Sequence, residues 1–282
     1  MRINRSSFCI SFALIALSAA LGQPHPAPNV TDQAQRHVVT YLAKLADLHC
    51  AESVVQEKLA PNGRLEASDL ARYDYLVMID GNGDDFQLNE SRIEASGAKH
   101  KPLPFLVTNG FSTMLLLFHP YYRDSFLFEQ EAEELVDGKP AIPVRFTQIE
   151  GRRALVALAL RGREYPLVLA GTVWLDKQSG QVEKIEAGLQ RDMSDIGLRS
   201  LSVHVEYKTF DLGKTAGDMI LPAEAVVDVT TPRQHWRNTH TFDGYKTFST
   251  EAEQDPNVKV HADKPGTAGN SLEQHPDKKE KP

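Results

Sequence analysis

The sequence predicts a mainly β fold of the α+β class: a large curved antiparallel sheet, or incomplete β-barrel, with a few covering helices. Long runs of period-2 alternation dominate the second half. Leu201, Val203, Val205 and Tyr207 alternate with Ser202, His204, Glu206 and Lys208, which is a strand with one buried and one wet face. Consecutive runs are joined by short turn signals, as in Gly171 to Glu186, where Val173-Trp174-Leu175 and Val182 to Ile185 flank Asp176-Lys177-Gln178-Ser179-Gly180. A βαβ alternation is missing, which argues against a doubly wound nucleotide fold. The reading gives about nine or ten antiparallel strands and two helices, with the Gly171–Glu186 hairpin at the centre of the sheet.

The chain has 282 residues, 41% of them hydrophobic, enough for a sizeable core. Residues 1–22 have the three parts of a signal peptide: basic Arg2 and Arg5, the apolar run Phe8 to Ala20, and small residues at Ala20 and Gly22. The expected division is therefore 1–22 leader, 23–250 folded domain and 251–282 charged, disordered tail, in a periplasmic or secreted protein. The tail lacks aromatics and holds too little apolar surface to offset the entropy of ordering it. No segment after the leader is long and apolar enough to span a bilayer. The formal net charge of -7 and the lack of a Lys/Arg cluster in the globular part argue against nucleic acid as a partner.

Cys9 leaves with the leader, so no cysteine is placed for lipid attachment and Cys50 is the single thiol of the mature chain. It reads as a small buried hydrophobe at a helix end, the alternatives being an intermolecular disulfide or, beside His49, a catalytic thiol. The first helix starts at Thr31 as cap and carries one apolar stripe, Ala34, Val38, Tyr41, Leu42, Leu45 and Leu48. Ala51 to Leu59, Tyr73 to Ile79 and Phe86 to Ile93 read as strands. Asp80-Gly-Asn-Gly-Asp-Asp85 begins like a calcium loop, but Asp85 stands where Gly is needed and Ser91 where a bidentate Glu is needed, so a turn explains it. Phe111, Met114, Leu115, Leu116, Leu117 and Phe118, stopped by Pro120, form a buried helix or a cavity wall. The acidic run Glu129 to Glu134 reads as a solvated edge. Val144 to Ile149 and Ala154 to Leu160 read as strands joined at Gly151-Arg152. Met219 to Val229 is another long strand, in which Pro222 requires an edge or a bulge. The last strand carries Trp236, Asn238, His240 and Phe242 on one face.

Catalytic and metal signatures are largely missing, and no cofactor is expected. His235 and His240, five apart on a strand, point to opposite faces and do not make a metal pair. The leader, the amphipathic first helix, the tryptophan hairpin with Val-Trp-Leu-Asp…Gly-Gln-Val-Glu-Lys-Ile, and Leu221-Pro222 in the next-to-last strand resemble the bacterial periplasmic lipoprotein-carrier superfamily over residues 31–249. That resemblance implies an unclosed barrel lidded by helices around an apolar cavity for acyl chains. The expected activity is non-enzymatic binding of a lipid, acyl chain or lipoprotein, with Phe111, Met114, Leu115, Phe118, Trp174 and Trp236 as cavity residues. The alternatives are a hydrolase-like periplasmic enzyme using Glu90 and Glu94 with His240, and a sensor that binds another envelope protein.

Overall fold

A computed structural model describes residues 29–44, 48–80, 87–94, 108–160, 162–213 and 217–247. The expected leader, the charged tail and the Gly81–Asp85 part of the calcium-like loop lie outside these residues.

Helix α1 (Val30–Lys44) is capped two residues earlier than expected. The side-chain oxygen of Asn29 accepts the Thr31 N–H at 3.1 Å, and its carbonyl accepts the Asp32 N–H at 2.9 Å. Thr31 is inside the helix instead. Val30, Ala34, Val38 and Leu42 form the buried stripe, and Tyr41 packs beside it. Strands β1 (Leu48–Leu59), β2 (Leu65–Asp80) and β3 (Gln87–Glu94) follow. A 3₁₀ segment (Thr113–Phe118) and the short helix α2 (Pro120–Arg123) come next, then β4 (Phe126–Gln130), β5 (Glu134–Val136) and β6 (Lys139–Gln148). The remainder is β7 (Ala157–Leu160), β8 (Arg163–Pro166), β9 (Leu169–Asp176), β10 (Val182–Leu189), β11 (Ser200–Asp211), β12 (Asp218–Thr230) and β13 (His235–Thr247), with a 3₁₀ turn at Ser194–Ile196.

Eleven strands make one antiparallel curved sheet in the order β3-β2-β1-β13-β12-β11-β10-β9-β6-β4, with β5 on β6. The sheet is not closed into a barrel. The first and last strands pair side by side, from Leu48 opposite Thr247 to Leu59 opposite His235. This long-range pairing moves the centre of the sheet to β12 and β11, and the β9–β10 hairpin lies toward one end. The hairpin itself is built as its residues suggest. The Asp176 carboxylate accepts the Ser179 N–H and hydroxyl, both at 2.6 Å, and Gly180 takes φ 73°. Gly171 is required by close approach, since a Cβ there would lie 1.9 Å from the Glu186 carbonyl oxygen.

Pro222 lies in an interior strand, where it is tolerated by a bulge. The β11–β12 register shifts between Glu206 and Tyr207, and the Tyr245 hydroxyl donates to the Pro222 carbonyl at 2.8 Å. Ala157–Leu160 pairs with β8 in a separate two-stranded sheet rather than with β6. Gly151-Arg152 therefore ends β6 without joining two paired strands. The acidic run borders the β4 edge, where Arg145 pairs with Glu129 and Glu131, and Lys177 with Glu133 at 2.6 Å.

One face of the sheet is covered by α1, the 3₁₀ segment and α2, and these share a core with Leu48, Tyr75, Val144, Val173, Ile185, Val205, Leu221, Val227 and Phe242. The 3₁₀ segment is too short to be stable alone. Met114, Leu115, Leu116, Leu117 and Phe118 are all buried, each contributing about 1.5–3 kcal/mol, and that burial holds the segment against the sheet. Among the described residues no helix is long and apolar enough to cross a membrane.

Candidate functional site

Two features lie beneath the helical cover: a polar cluster in the core and apolar hollows beside it. The cluster begins on β1. Leu48, Cys50, Glu52, Val54 and Gln56 share the inward face, so a carboxylate enters an apolar row. Leu88, Glu90 and Arg92 do the same on β3, and Asn238, His240 and Phe242 on β13.

Glu52 is 1% exposed and accepts two hydrogen bonds from Arg92, one of them Nη2–H to Oε1 at 2.7 Å. His240, also 1% exposed, places Nδ1 at 2.8 Å from Glu52 Oε1. Its Nε2 lies 2.6 Å from Thr108 Oγ1, which receives the Asn238 amide at 3.2 Å. The tautomer follows from this order. An ionised carboxylate only accepts, so Nδ1 carries the proton, and Nε2 accepts from the Thr108 hydroxyl. Burial pushes the Glu52 carboxyl up, but the hydrogen bonds from His240 and Arg92 outweigh it and hold the group below its ordinary value. Burial pulls His240 down against the opposing pull of Glu52, so the ring is neutral at pH 7. The ion pair is therefore Glu52–Arg92, with His240 as a neutral neighbour.

Glu90 does different work. Its Oε2 accepts the Gly110 and Phe111 N–H groups, both at 2.8 Å, and the Tyr75 hydroxyl. Its Oε1 accepts the Thr113 N–H and hydroxyl, both at 2.7 Å. It thus clamps the entry of the 3₁₀ segment, where Tyr207 Oη also donates to the Phe111 carbonyl at 2.7 Å. A carboxylate with five donors on it is a structural anchor. The pairing of Glu90 with His240 as acid and base is not made, because Glu52 and Thr108 occupy the histidine. The Glu94 side chain lies outside the described residues. Neither Glu52, Arg92 nor Thr108 stands out in the sequence by any motif, although Glu52 in the Cys50–Val54 row carries a readable signal.

The hollows divide the expected cavity residues. A half-open crevice of about 270 Å³ runs between α1 and the sheet, with Ala34, Val38, Tyr41 and Leu115 on one side and Val182, Met219 and Ile220 on the other. Its rim is polar, with His37, Gln181, Thr209 and Asp218. The Tyr41 hydroxyl is buried and has no hydrogen-bond partner among the described residues. A second hollow of about 100 Å³ is lined by Thr108, Phe111, Met114, Leu167, Leu169, Val203 and Val227. Leu115 therefore lines the first hollow, and Phe111 and Met114 the second.

Phe118 is wholly buried and stacks on Phe128 at 5.4 Å, lining neither. Trp174 alternates with buried Val173 and Leu175 and so takes the other face, where Lys184 sits 3.8 Å from its ring and Glu134 accepts its N–H. Trp236 stands at the end of the inward row of β13, beneath Lys58 at 5.9 Å, away from both hollows. A larger depression of about 430 Å³ is lined by Asp137, Lys139, Asp176, Glu183, Lys184, Glu206 and Lys208, and its charge makes it unsuited to an acyl chain.

Cys50 lies within β1 rather than at a helix end, and burial pushes its thiol up to about 12, which removes it as a nucleophile at neutral pH. His235 faces outward to Asp228 at 2.8 Å, while His240 faces the core, so the two histidines are separated by the sheet.

No family model and no curated protein matches the chain. Solved structures with a similar layout include a DUF1329 family protein from Desulfovibrio piger, 11% identical over 78% of this chain and 94% of that one, with a TM-score of 0.41. An outer membrane lipoprotein-sorting protein domain from Vibrio parahaemolyticus is 14% identical over 80% and 97%, with a TM-score of 0.36. A chain of the Pseudomonas aeruginosa MucA/MucB complex is 12% identical over 76% and 94%, with a TM-score of 0.22. These solved structures include a lipoprotein-sorting protein domain, the superfamily that the leader, the first helix, the tryptophan hairpin and Leu221-Pro222 resemble in sequence.

Proposed function

We propose that this is an exported binding protein of the cell envelope that holds one acyl chain of a lipid or lipoprotein between α1 and the sheet. The folded domain is residues 23–250, released from the 1–22 leader and followed by the 251–282 tail. The supporting observation is the half-open crevice with an apolar floor and a polar rim. At about 270 Å³ it is just below the ~300–1,000 Å³ of pockets that bury drug-sized ligands, which suits a single chain rather than several. Each buried methylene contributes about 0.8 kcal/mol, so affinity needs shape and dryness more than a special polar group. Of the cavity residues expected from sequence, Leu115 lines this site, while Phe111 and Met114 line the second hollow.

The test is native mass spectrometry of the full chain expressed with its leader, alongside displacement of a fluorescent fatty acid. A Val38→Trp variant fills the crevice and should lose the probe; as Val38 is buried, the change should also cost about 1–3 kcal/mol, so binding is read at a temperature where circular dichroism shows the fold intact. Absence of both a retained lipid and probe binding in the wild-type protein would reject the reading.

A further inference from the structure

We propose that Thr108, His240 and Glu52 form an acyl-transfer triad, with Thr108 Oγ1 as nucleophile toward a short-chain ester whose acyl group enters the smaller hollow. This goes beyond lipid holding and uses a different cavity. The case rests on the direction of the hydrogen bonds. Burial alone would require a partner for each polar atom, and the distinguishing feature is the order in which these partners are arranged. Here Asn238 donates to Thr108 Oγ1 at 3.2 Å, which directs the Thr108 proton to His240 Nε2 at 2.6 Å. His240 Nδ1–H then donates to Glu52 Oε1 at 2.8 Å. A nucleophile, a base that accepts its proton and a carboxylate that orients the base are thus in hydrogen-bond reach of one another. Burial, aided by the nearby Arg92 charge, keeps the imidazole neutral against the pull of Glu52, so Nε2 accepts from Thr108 and can act as a base.

Access is the second element. Thr108 is only part-buried and lines the hollow with Phe111, Met114, Leu167, Leu169 and Val203. Its volume of about 100 Å³ is far below that of drug-sized pockets of ~300–1,000 Å³, which restricts the acyl group to a short one. In the reaction, Thr108 Oγ1 attacks the ester carbonyl carbon as its proton passes to His240 Nε2. The C–O bond to the alcohol breaks, and the departing oxygen takes the proton from Nε2. Water then attacks the acyl-threonine and gives one proton to Nε2. That proton returns to Thr108 Oγ1 as the carboxylic acid leaves. The sum is ester plus water to acid plus alcohol.

The experiment treats the full chain with a fluorophosphonate probe and with p-nitrophenyl butyrate, mapping adducts by peptide mass. The expected result is an adduct on Thr108 and esterase activity that rises with pH as His240 loses its proton. Thr108→Val, which keeps the branched shape, should lose labelling and activity about 100-fold or more, and His240→Gln about 10²- to 10⁴-fold. Thr108→Ser, which keeps a hydroxyl at the same place, should still take up the probe at position 108. If neither wild type nor Thr108→Ser forms an adduct, or if the adduct persists in Thr108→Val, the triad is overturned. Neither result depends on fatty-acid binding beneath α1.

Discussion

Replacing Glu90 by Gln tests how the helical cover is held to the sheet. The side chain keeps its length, but one acceptor oxygen becomes an NH₂ group that must face donors. Turned toward Oε2's partners, it would meet the Gly110 and Phe111 N–H groups and the Tyr75 hydroxyl. Turned toward Oε1's partners, it would meet the Thr113 N–H and hydroxyl, and the hydroxyl can rotate to accept. The second orientation is cheaper and leaves the Thr113 N–H without a partner. An unpaired buried donor costs about 1–3 kcal/mol, and loss of charge assistance in the remaining bonds adds about 1 kcal/mol, for about 2–4 kcal/mol in all. With a urea slope of about 1–3 kcal/mol/M, the unfolding midpoint should fall by about 1 M or more at unchanged slope. Amide exchange at Gly110, Phe111 and Thr113 should quicken at the same time. A midpoint shift below about 0.3 M with unaltered exchange would mean that burial of the 3₁₀ segment alone holds the cover.

Three further outcomes are expected. Gly171→Ala puts a Cβ 1.9 Å from the Glu186 oxygen and 2.8 Å from Ala187 Cα, so it should lower the melting temperature by about 4–12 °C; Gly188→Ala, with 3.2 Å to the Leu201 oxygen, should cost far less, and equal losses would contradict the close-approach argument. Acid should destabilise the fold in two stages. The unfolded chain takes up a histidine proton near 6.5 while buried His240 does not, so stability falls as pH drops below that value, by at most about 1.4 kcal/mol per unit. Glu52, held below its ordinary 4.5, then loses its contribution as pH falls through its lower folded value. His240→Gln should flatten the first stage, and an unchanged slope between pH 5 and 6.5 would count against a neutral buried imidazole. Cys50, with its thiol raised to about 12, should react with a thiol reagent only after denaturation, and rapid native labelling would contradict its burial.

Periodicity makes the outer framework legible in the amino-acid sequence itself. Alternation in β11, β12 and β13 tells which residues face inward, and Asp176 with Gly180 marks the hairpin turn. Periodicity does not tell which strands meet. The pairing of β1 with β13 joins residues nearly two hundred positions apart, and no local signal encodes it. That pairing is what brings Glu52 to His240, so the polar cluster is hidden in the sequence for the same reason. Trp174 shows the limit in another way. Aromatic size suggests a cavity residue, while strict alternation beside Val173 and Leu175 assigns it the opposite face. Phe118 and Leu115 are indistinguishable in an all-apolar run, and only the path of α1 decides that Leu115 borders a crevice while Phe118 is enclosed.

The central claim is that an acyl chain lies between α1 and the sheet. Photo-crosslinking the full chain with a diazirine-bearing fatty acid, followed by peptide mapping, locates the chain directly. The account predicts adducts on Val38 or Tyr41 of α1 and on Met219 or Ile220 of β12, all competed by unlabelled fatty acid. Adducts confined to the charged depression around Lys139 and Lys208, or no competed adduct at all, would contradict it.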